Sequence, residues 1–390
     1  MRYIITFFFT FLGIVSAAQP TKSDKEATKV FQKLSNKLSG FETISYRYYR
    51  SINYLSENYR SETEGNTFLD FRIKDTALGF RYLAENKDYK SVYNGAETFY
   101  LNKVDTTIKI SFKAQRGHVE SLPLFANSIV TLKKALPQII ADNEVPKMLT
   151  DTIIENDKYY LASFILQNKT LSYLGEYSPI TLERKFEYKI IIDKTTFLPL
   201  HIIQTNNAEP RDYMRTTFSD IKADISQLPE TSWYYSTYLK DFKLSSDKKL
   251  TLIKENTMAP DWQAVYFNTN DNISLGKLKG NVVLLEFWIK NCGYCISAVP
   301  ELNSLIEKYK TINLSVIGIN RHDKQEDVKF FYQKNRPNFN TVFDINGSIT
   351  TAYGVDGFPT LVLIDKKGKV LYAGGLDIGV LNGLLKAALE

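Results

Sequence analysis

The chain has few of the residues that usually bind metal ions. Its 390 residues include two cysteines and three histidines, and the histidines at 118, 201 and 322 are far apart in the sequence. A structural zinc site needs about four ligands, which this set does not favour. A purely structural disulfide between Cys292 and Cys295 is also disfavoured, because so short a loop constrains little chain. The two cysteines therefore indicate redox chemistry.

Long runs of one charge and long apolar segments are also missing. The 49 basic and 43 acidic residues are scattered, without a Lys/Arg run that could follow a phosphate backbone, so we do not expect nucleic acid as a partner. No segment beyond the N-terminus is apolar enough to span a membrane. With 44% hydrophobic and 24% charged residues, the composition is typical of a folded soluble protein. The length of 390 residues indicates two or three domains.

Residues 1–18 have the pattern of a signal peptide. Arg2 supplies a positive charge, an apolar stretch follows, and Ser16-Ala17-Ala18 forms a small-residue cleavage site before Gln19. A membrane anchor is the alternative, but the apolar stretch is several residues short of the roughly 20 that a span needs. We expect a soluble protein exported to the bacterial periplasm.

Residues 19–245 are predicted to form an α+β domain with a large antiparallel sheet and helices on one side. An amphipathic helix comes first, and short strands rich in aromatic and β-branched residues follow. The second strand is predicted from Thr67 to Ile73, and none is predicted between Asn143 and Tyr159. At the level of pattern, this order resembles the LolA-like lipoprotein-carrier half-barrel. That resemblance implies an apolar cavity for a lipid or lipoprotein, with a partner-docking β domain as an equal alternative.

A polar linker is predicted at 246–252, and residues 253–390 change to alternating strands and helices. A buried strand at Val282–Trp288 and a helix from Cys295 start this pattern, and a strand hairpin and an amphipathic helix end it. We predict an α/β domain whose central mixed sheet has helices on both faces.

Cys292 and Cys295 lie where the buried strand gives way to the helix. Unpaired N–H groups at a helix N-terminus stabilise a thiolate, so the pKa of the Cys292 thiol should fall and Cys292 should be the nucleophile. Cys295, one helical turn away, can attack a mixed disulfide at Cys292 and release the partner. Cys295 is therefore the expected resolving cysteine.

The stretch from Ala259 to the last helix resembles the TlpA/ResA-like branch of the thioredoxin superfamily. Pro300 follows Cys292 by eight residues, where thioredoxins have a proline in the active-site helix. The sequence Gly357-Phe358-Pro359-Thr360 matches their cis-proline loop, and an insertion after Asn320 is typical of this branch. The resemblance implies a thioredoxin-like fold and a cis Phe358–Pro359 peptide, whose backbone pairs with a substrate strand.

The resemblance also implies the other site residues. Glu286 stands where thioredoxins place a buried acid; burial should raise its pKa and let it move a proton for Cys295, with a purely structural carboxylate as the equal alternative. Asp323 lies where some relatives carry an acid close to the active site, but a solvated helix charge is the favoured interpretation. His322 is favoured as a surface histidine rather than a copper ligand. The residues expected to contact substrate are Trp288, Gly293, Tyr294, Phe358 and Thr360.

The resulting functional prediction is a protein-disulfide reductase that needs no cofactor beyond the Cys292–Cys295 disulfide. The resemblance implies that a membrane protein donates the electrons and that oxidised exported proteins such as apocytochromes are the substrates. It therefore also implies a role in cytochrome c maturation. The dipeptide Gly293-Tyr294 does not determine the direction of electron flow, so oxidase and isomerase roles stay open. A lipid or lipoprotein carrier with an attached redox module is a second hypothesis.

Overall fold

The computed structural model describes residues 25–389 except 74–75, 113–115, 121, 181–182, 226–227, 246–249, 270 and 311–312. The predicted signal peptide and the first part of the predicted linker, residues 246–249, lie outside the described residues. The chain divides into two compact units, residues 1–245 and 246–390. Across the described ranges, no helix combines the length and the apolar character needed to cross a membrane.

In the described residues of the first unit, the main element is a 12-stranded sheet. Its strands, together with a small separate hairpin of β9 and β10, are β1 Thr43–Tyr54, β2 Tyr59–Asp70, β3 Arg81–Glu85, β4 Tyr89–Tyr93, β5 Thr98–Asn102, β6 Thr107–Ser111, β7 Lys147–Ile154, β8 Asp157–Gln167, β9 Lys169–Leu171, β10 Tyr177–Pro179, β11 Lys185–Asp193, β12 Pro199–Asn206, β13 Tyr213–Ala223 and β14 Lys243–Leu244. The order is β14-β6-β5-β4-β3-β2-β1-β13-β12-β11-β8-β7. Pairing is antiparallel except between β14 and β6.

Helices cover one face of this sheet. They are α1 Lys25–Ser39, α2 Arg116–Glu120 and α3 Ile129–Ala141. The apolar stripe of α1, which includes Phe31 and Leu34, packs with α3 against Tyr46 and Tyr48 of β1. Ser128 caps α3 by accepting a hydrogen bond from the Thr131 N–H, which helps to define where that helix begins. The predicted α+β architecture of this unit is confirmed.

Several strands differ from the prediction, among them β3, which was not predicted, and β2 and β7, which show the physical reason. β2 begins at Tyr59 rather than at the predicted Thr67, since the backbone of its first half also pairs with β1. The sequence does not predict this half as a strand, because it has exposed charged residues on one side and only half-buried residues on the other. β7 was not predicted, because it is an edge strand with exposed Thr150, Asp151 and Ile153. Neither segment has the apolar alternation that identifies a strand from sequence.

The second unit has a five-stranded mixed sheet in the order β19-β18-β17-β20-β21. Its elements are β15 Gln263–Val265, β16 Asn272–Ser274, β17 Val282–Trp288, α4 Gly293–Lys308, β18 Leu314–Asn320, α5 Gln325–Asn335, β19 Asn340–Phe343, α6 Ser348–Ala352, β20 Thr360–Ile364, β21 Val370–Gly374 and α7 Ile378–Leu389. β17, β18 and β19 are parallel, whereas β20 pairs antiparallel with β17 and β21.

Hydrophobic clusters lie on both faces of this sheet. Leu284 of β17 packs with α4 and α7, whereas Leu285 packs on the opposite face with Ile349 of α6 and Tyr353. All seven residues of β17 are buried, as expected for a central strand covered on both sides. The predicted α/β domain with helices on both faces is confirmed.

Candidate active site

The two cysteines lie at the junction between β17 and α4. Cys292 is the N-cap of α4 and forms a disulfide with Cys295, with a Cα–Cα distance of 5.2 Å. The backbone N–H of Cys295 points at Cys292 Sγ, 3.1 Å away. Cys292 is half-buried, whereas Cys295 is 0% exposed. A partner molecule can therefore reach Cys292 but not Cys295.

The loop before β20 lies beside this pair. The Phe358–Pro359 peptide is cis, as predicted. The carbonyl oxygen of Phe358 is 3.5 Å from Cys292 Sγ, and the Thr360 hydroxyl donates to the Gly357 carbonyl at 2.8 Å. Thr360 is also in register with Phe287 of β17, so strand pairing determines where the loop lies.

Glu286 lies on the α4-facing side of β17. Its neighbours on that side are Leu284, which packs with α4, and Trp288, which clusters with Cys295. The Glu286 side chain is 1% exposed, and its Oε2 atom has no hydrogen-bond partner in the described structure. Burial raises the pKa of this carboxyl to about 8. At neutral pH the carboxyl is therefore mostly protonated.

The predicted substrate-contacting residues do not all lie at the surface. Tyr294 is 80% exposed, Gly293 is exposed, and Phe358 and Thr360 are half-buried beside Cys292. Trp288 is instead 1% exposed. Its indole N–H donates to Thr341 Oγ1 at 3.1 Å, and its ring packs on Phe331 of α5. Trp288 thus belongs to the buried core below the exposed residues Gly293 and Tyr294.

Asp323 is part of a hydrogen-bonded cluster, so the favoured interpretation of it as a solvated charge is wrong. Its carboxylate accepts hydrogen bonds from the Lys290 backbone N–H at 2.6 Å and from the Asn320 side-chain amide at 2.8 Å. The Asp323 N–H donates in turn to Asn320 Oδ1 at 3.1 Å. Asp323 therefore ties the end of β18 to the loop before Cys292.

Lys290 is a site residue that the sequence pattern did not predict. Its side chain is 3% exposed, and its ammonium lies 2.9 Å from Asp327 of α5. A charged side chain two residues after an apolar strand is the only signal for it in the sequence. The ion pair connects the cysteine loop to α5, in addition to the connection that Asp323 makes with the end of β18.

Replacing Asp327 should destabilise the oxidised protein. Asp327→Asn removes a carboxylate from an almost fully buried ammonium, which should cost about 2 kcal/mol in the free energy of unfolding. Urea unfolding at neutral pH measures this cost. Glu326→Gln, an exposed change in the same helical turn, serves as the control and should change stability by less than about 0.5 kcal/mol. An equal effect of both substitutions would contradict the prediction.

His322 is exposed, and its ring packs edge-on against Phe358 at a centroid distance of 5.7 Å. Over the described stretches of the chain, no three His, Cys, Asp or Glu side chains come together in a group that could hold a metal ion. The contact places His322 at the edge of the cysteine site.

Comparisons with known proteins agree with this geometry. Residues 256–373 match the AhpC/TSA family. The thiol-disulfide oxidoreductase ResA of Bacillus thuringiensis subsp. konkukian is 34% identical over 122 residues, which are 30% of this chain and 70% of the relative. The chain belongs to the ResA family of thiol-disulfide oxidoreductases. ResA of Halalkalibacterium halodurans is 30% identical over 120 residues, covering 29% of this chain and 68% of that protein.

Among solved structures, the thioredoxin domain of a thiol-disulfide oxidoreductase from Bacteroides vulgatus is similar to this chain. It has 23% sequence identity and a TM-score of 0.33, and the match covers 35% of this chain and 99% of that domain. With the ResA relationship and the Cys292–Cys295 disulfide, the protein is a thiol-disulfide oxidoreductase with a thioredoxin-like C-terminal unit.

Proposed function

We propose that the protein reduces disulfides in client proteins, with Cys292 as the attacking thiolate and Cys295 as the resolving cysteine. The unequal burial of the two sulfurs carries this proposal, because a client disulfide can approach only the half-buried Cys292. The position of Cys292 at the N-terminus of a 16-residue helix also favours negative charge on its sulfur.

The exchange has two steps and is balanced by two electrons. The reduced Cys292 thiolate attacks one sulfur of the client disulfide, forming a mixed disulfide and releasing the first client thiolate, which takes up a proton. Cys295 then loses its proton and attacks Cys292 Sγ. The second client thiolate leaves, so the client is reduced and the Cys292–Cys295 disulfide is formed again. No other cofactor takes part.

Glu286 moves the proton in the second step. A buried thiol such as Cys295 ionises reluctantly, and Glu286 lies on the face of β17 where Cys295 is buried. A carboxyl with a pKa of about 8 exchanges protons readily near neutral pH.

The client chain binds beside the cysteines along the cis-proline loop. Its backbone pairs with the segment around Phe358 and Pro359, and the exposed Gly293 and Tyr294 contact it from the start of α4. Thr360 holds the loop through its bond to Gly357. Trp288 supports this surface from below.

The clients in this proposal are oxidised exported proteins, including apocytochromes, and a membrane protein supplies the electrons. Support comes from the ResA relationship and from the signal-peptide pattern of residues 1–18, which would place the protein in the bacterial periplasm. The proposal therefore gives the protein a role in cytochrome c maturation.

A reduction assay tests the direction of electron flow. The prereduced full-length protein should reduce insulin disulfides, and the oxidised protein should not speed the oxidation of reduced, unfolded ribonuclease. A reductase is expected to have a reduction potential near that of thioredoxin, about −270 mV. A potential near −120 mV, together with rapid ribonuclease oxidation, would identify an oxidase instead.

A second candidate function makes the first unit a binding module for a lipid or lipoprotein. It is favoured by a stretch of the helix-covered sheet face where apolar side chains stay half-exposed, at Ile52, Tyr54, Tyr59 and Met214. In the same assay, a 246–390 fragment that matches the full-length rate on insulin would leave the first unit a role in client or ligand binding. If the fragment folds but does not reduce insulin, the first unit takes part in the thiol-disulfide exchange itself.

A further inference from the structure

Arg50 of β1 is buried on the sheet face that forms the main core of the first unit. Along β1, Tyr46, Tyr48 and Arg50 are alternate residues on one side of the strand, and Tyr46 and Tyr48 belong to that core. Arg50 is 7% exposed. It faces the strand neighbours Thr63 of β2 and Thr216 of β13, neither of which carries a charge.

The Arg50 guanidinium has no acidic partner. Among the described residues, no carboxylate forms a salt bridge with it, and its Nε atom has no hydrogen-bond partner. Its Nη2 atom lies 3.4 Å from Thr63 Oγ1, and the guanidinium also hydrogen-bonds the Tyr48 hydroxyl, so both of these partners are neutral. Burying an unpaired charge costs several kcal/mol, so folded proteins normally place an anion beside such a group.

Arg81, in the same unit, is equally buried and provides an internal comparison. Arg81 as a residue is also 7% exposed, but its Nε donates to Asp70 at 3.0 Å and its guanidinium lies 4.1 Å from the centre of the Trp233 ring. This is the usual way in which a buried arginine is satisfied. The contrast shows that Arg50 lacks what Arg81 has within the chain itself.

The surroundings of Arg50 offer further donors and an apolar contact surface. Tyr89 of β4 belongs to the same core cluster as Tyr48, which precedes Arg50 on the same side of β1. Burial raises the pKa of the Tyr89 phenol, and the Arg50 charge counteracts part of that rise. The hydroxyl of Tyr89 is buried and has no hydrogen-bond partner in the described structure. Further along the same side of β1, Ile52 and Tyr54 are half-exposed, so an apolar group could contact them from solvent.

We propose that Arg50 and Tyr89 form a binding site for an organic anion, a carboxylate or phosphate ester that carries a short apolar group. The anion accepts hydrogen bonds from Arg50 Nε and the Tyr89 hydroxyl, and its apolar group lies along Ile52 and Tyr54. The site lies in the first unit and does not depend on the proposed redox reaction.

Ligand-induced stabilisation of the full-length protein tests this site. Octanoate and octyl phosphate supply the two kinds of anion, and octanol and sodium chloride supply the apolar chain and the charge separately. We expect one or both anionic ligands to raise the Tm of the wild type saturably, whereas octanol and chloride do not. Comparing octanoate with octyl phosphate identifies the preferred head group. Equal stabilisation by octanol would overturn the proposal, as would no effect of either anion.

Three variants complete the experiment. Arg50→Met should weaken binding of the stabilising anion at least about tenfold, and Tyr89→Phe about threefold to tenfold. Without ligand, Arg50→Met should unfold at the same Tm as the wild type or higher, because it removes a buried charge without a partner. Arg47→Gln changes the other side of β1, where Arg47 pairs with Glu64 at 3.0 Å, and should bind like the wild type. If Arg50→Met lowers the Tm sharply and Tyr89→Phe binds the anion unchanged, Arg50 is a structural residue and the proposal fails.

Discussion

Cys292→Ala should abolish disulfide reduction, with a fall in insulin reduction of about 1000-fold or more. Cys292 is the half-buried sulfur at the start of α4, and Cys295 is 0% exposed, so no second thiol can replace the nucleophile. The dithiothreitol-coupled insulin turbidity assay measures the loss. Ser304→Ala, an exposed change in the same helix, should keep wild-type activity.

Cys295→Ala should also stop turnover, but at a different stage. The first attack by Cys292 is intact, and the mixed disulfide then has no internal thiol to resolve it. Nonreducing electrophoresis should show covalent complexes with client proteins, and mass spectrometry should find the client cysteine attached to Cys292. These complexes also identify the clients. Stable complexes through Cys295 in the Cys292→Ala variant would reverse the two roles.

Glu286→Gln should slow the resolving step about 100-fold near pH 8, where a large fraction of the wild-type carboxyl is ionised and accepts the Cys295 proton, which the amide cannot do. In the wild type, the rate of client release should change through a pKa near 8, the value to which burial raises the Glu286 carboxyl. The variant should lack that inflection. Stopped-flow measurement of client release between pH 5 and pH 10 records both effects, and Glu301→Gln on the exposed side of α4 is the control. An unchanged pH profile in Glu286→Gln would leave Glu286 a structural residue.

The same substitution should change how stability depends on pH. The folded-state pKa of about 8 lies above the ordinary value of 4.5, so the folded protein holds a proton that the unfolded chain releases as pH rises. Stability of the wild type therefore falls between about pH 4.5 and pH 8 and is constant with respect to this group at higher pH. Relative to Glu286→Gln, the loss between pH 4 and pH 9 should be roughly 3–5 kcal/mol in urea unfolding.

Several features of the fold follow directly from the residue pattern. Alternation of apolar residues at helical spacing predicts α1, and the continuous apolar run at Val282–Trp288 predicts the central strand β17. β7 and the first half of β2 could not be predicted this way. Their backbones are held by neighbouring strands, while their side chains are largely polar or exposed. Strand formation there depends on partners that are distant in the sequence.

In the candidate site, too, local sequence patterns predict some residues, and contacts between distant segments position the others. The spacing of Cys292 and Cys295, the cis-proline sequence and the acid at 286 are local patterns, so the sequence alone could identify them. The ties from Asp323 and Asp327 to residue Lys290 join segments more than 30 residues apart, at distances of 2.6 and 2.9 Å. Such pairs form only when β17 and β18 lie side by side. The spacing of residues in the sequence therefore does not predict them.

A redox-active cysteine pair at the start of a helix can be predicted from the residues alone, because helix and strand signals and cysteine spacing are local properties. The folded chain is needed to show which sulfur is accessible, that Trp288 lies below the surface, and that no acid in the described part of the chain forms a salt bridge with Arg50. Burial and partner choice are set by contacts between distant segments. The physical state of each charged or reactive group therefore depends on the folded chain.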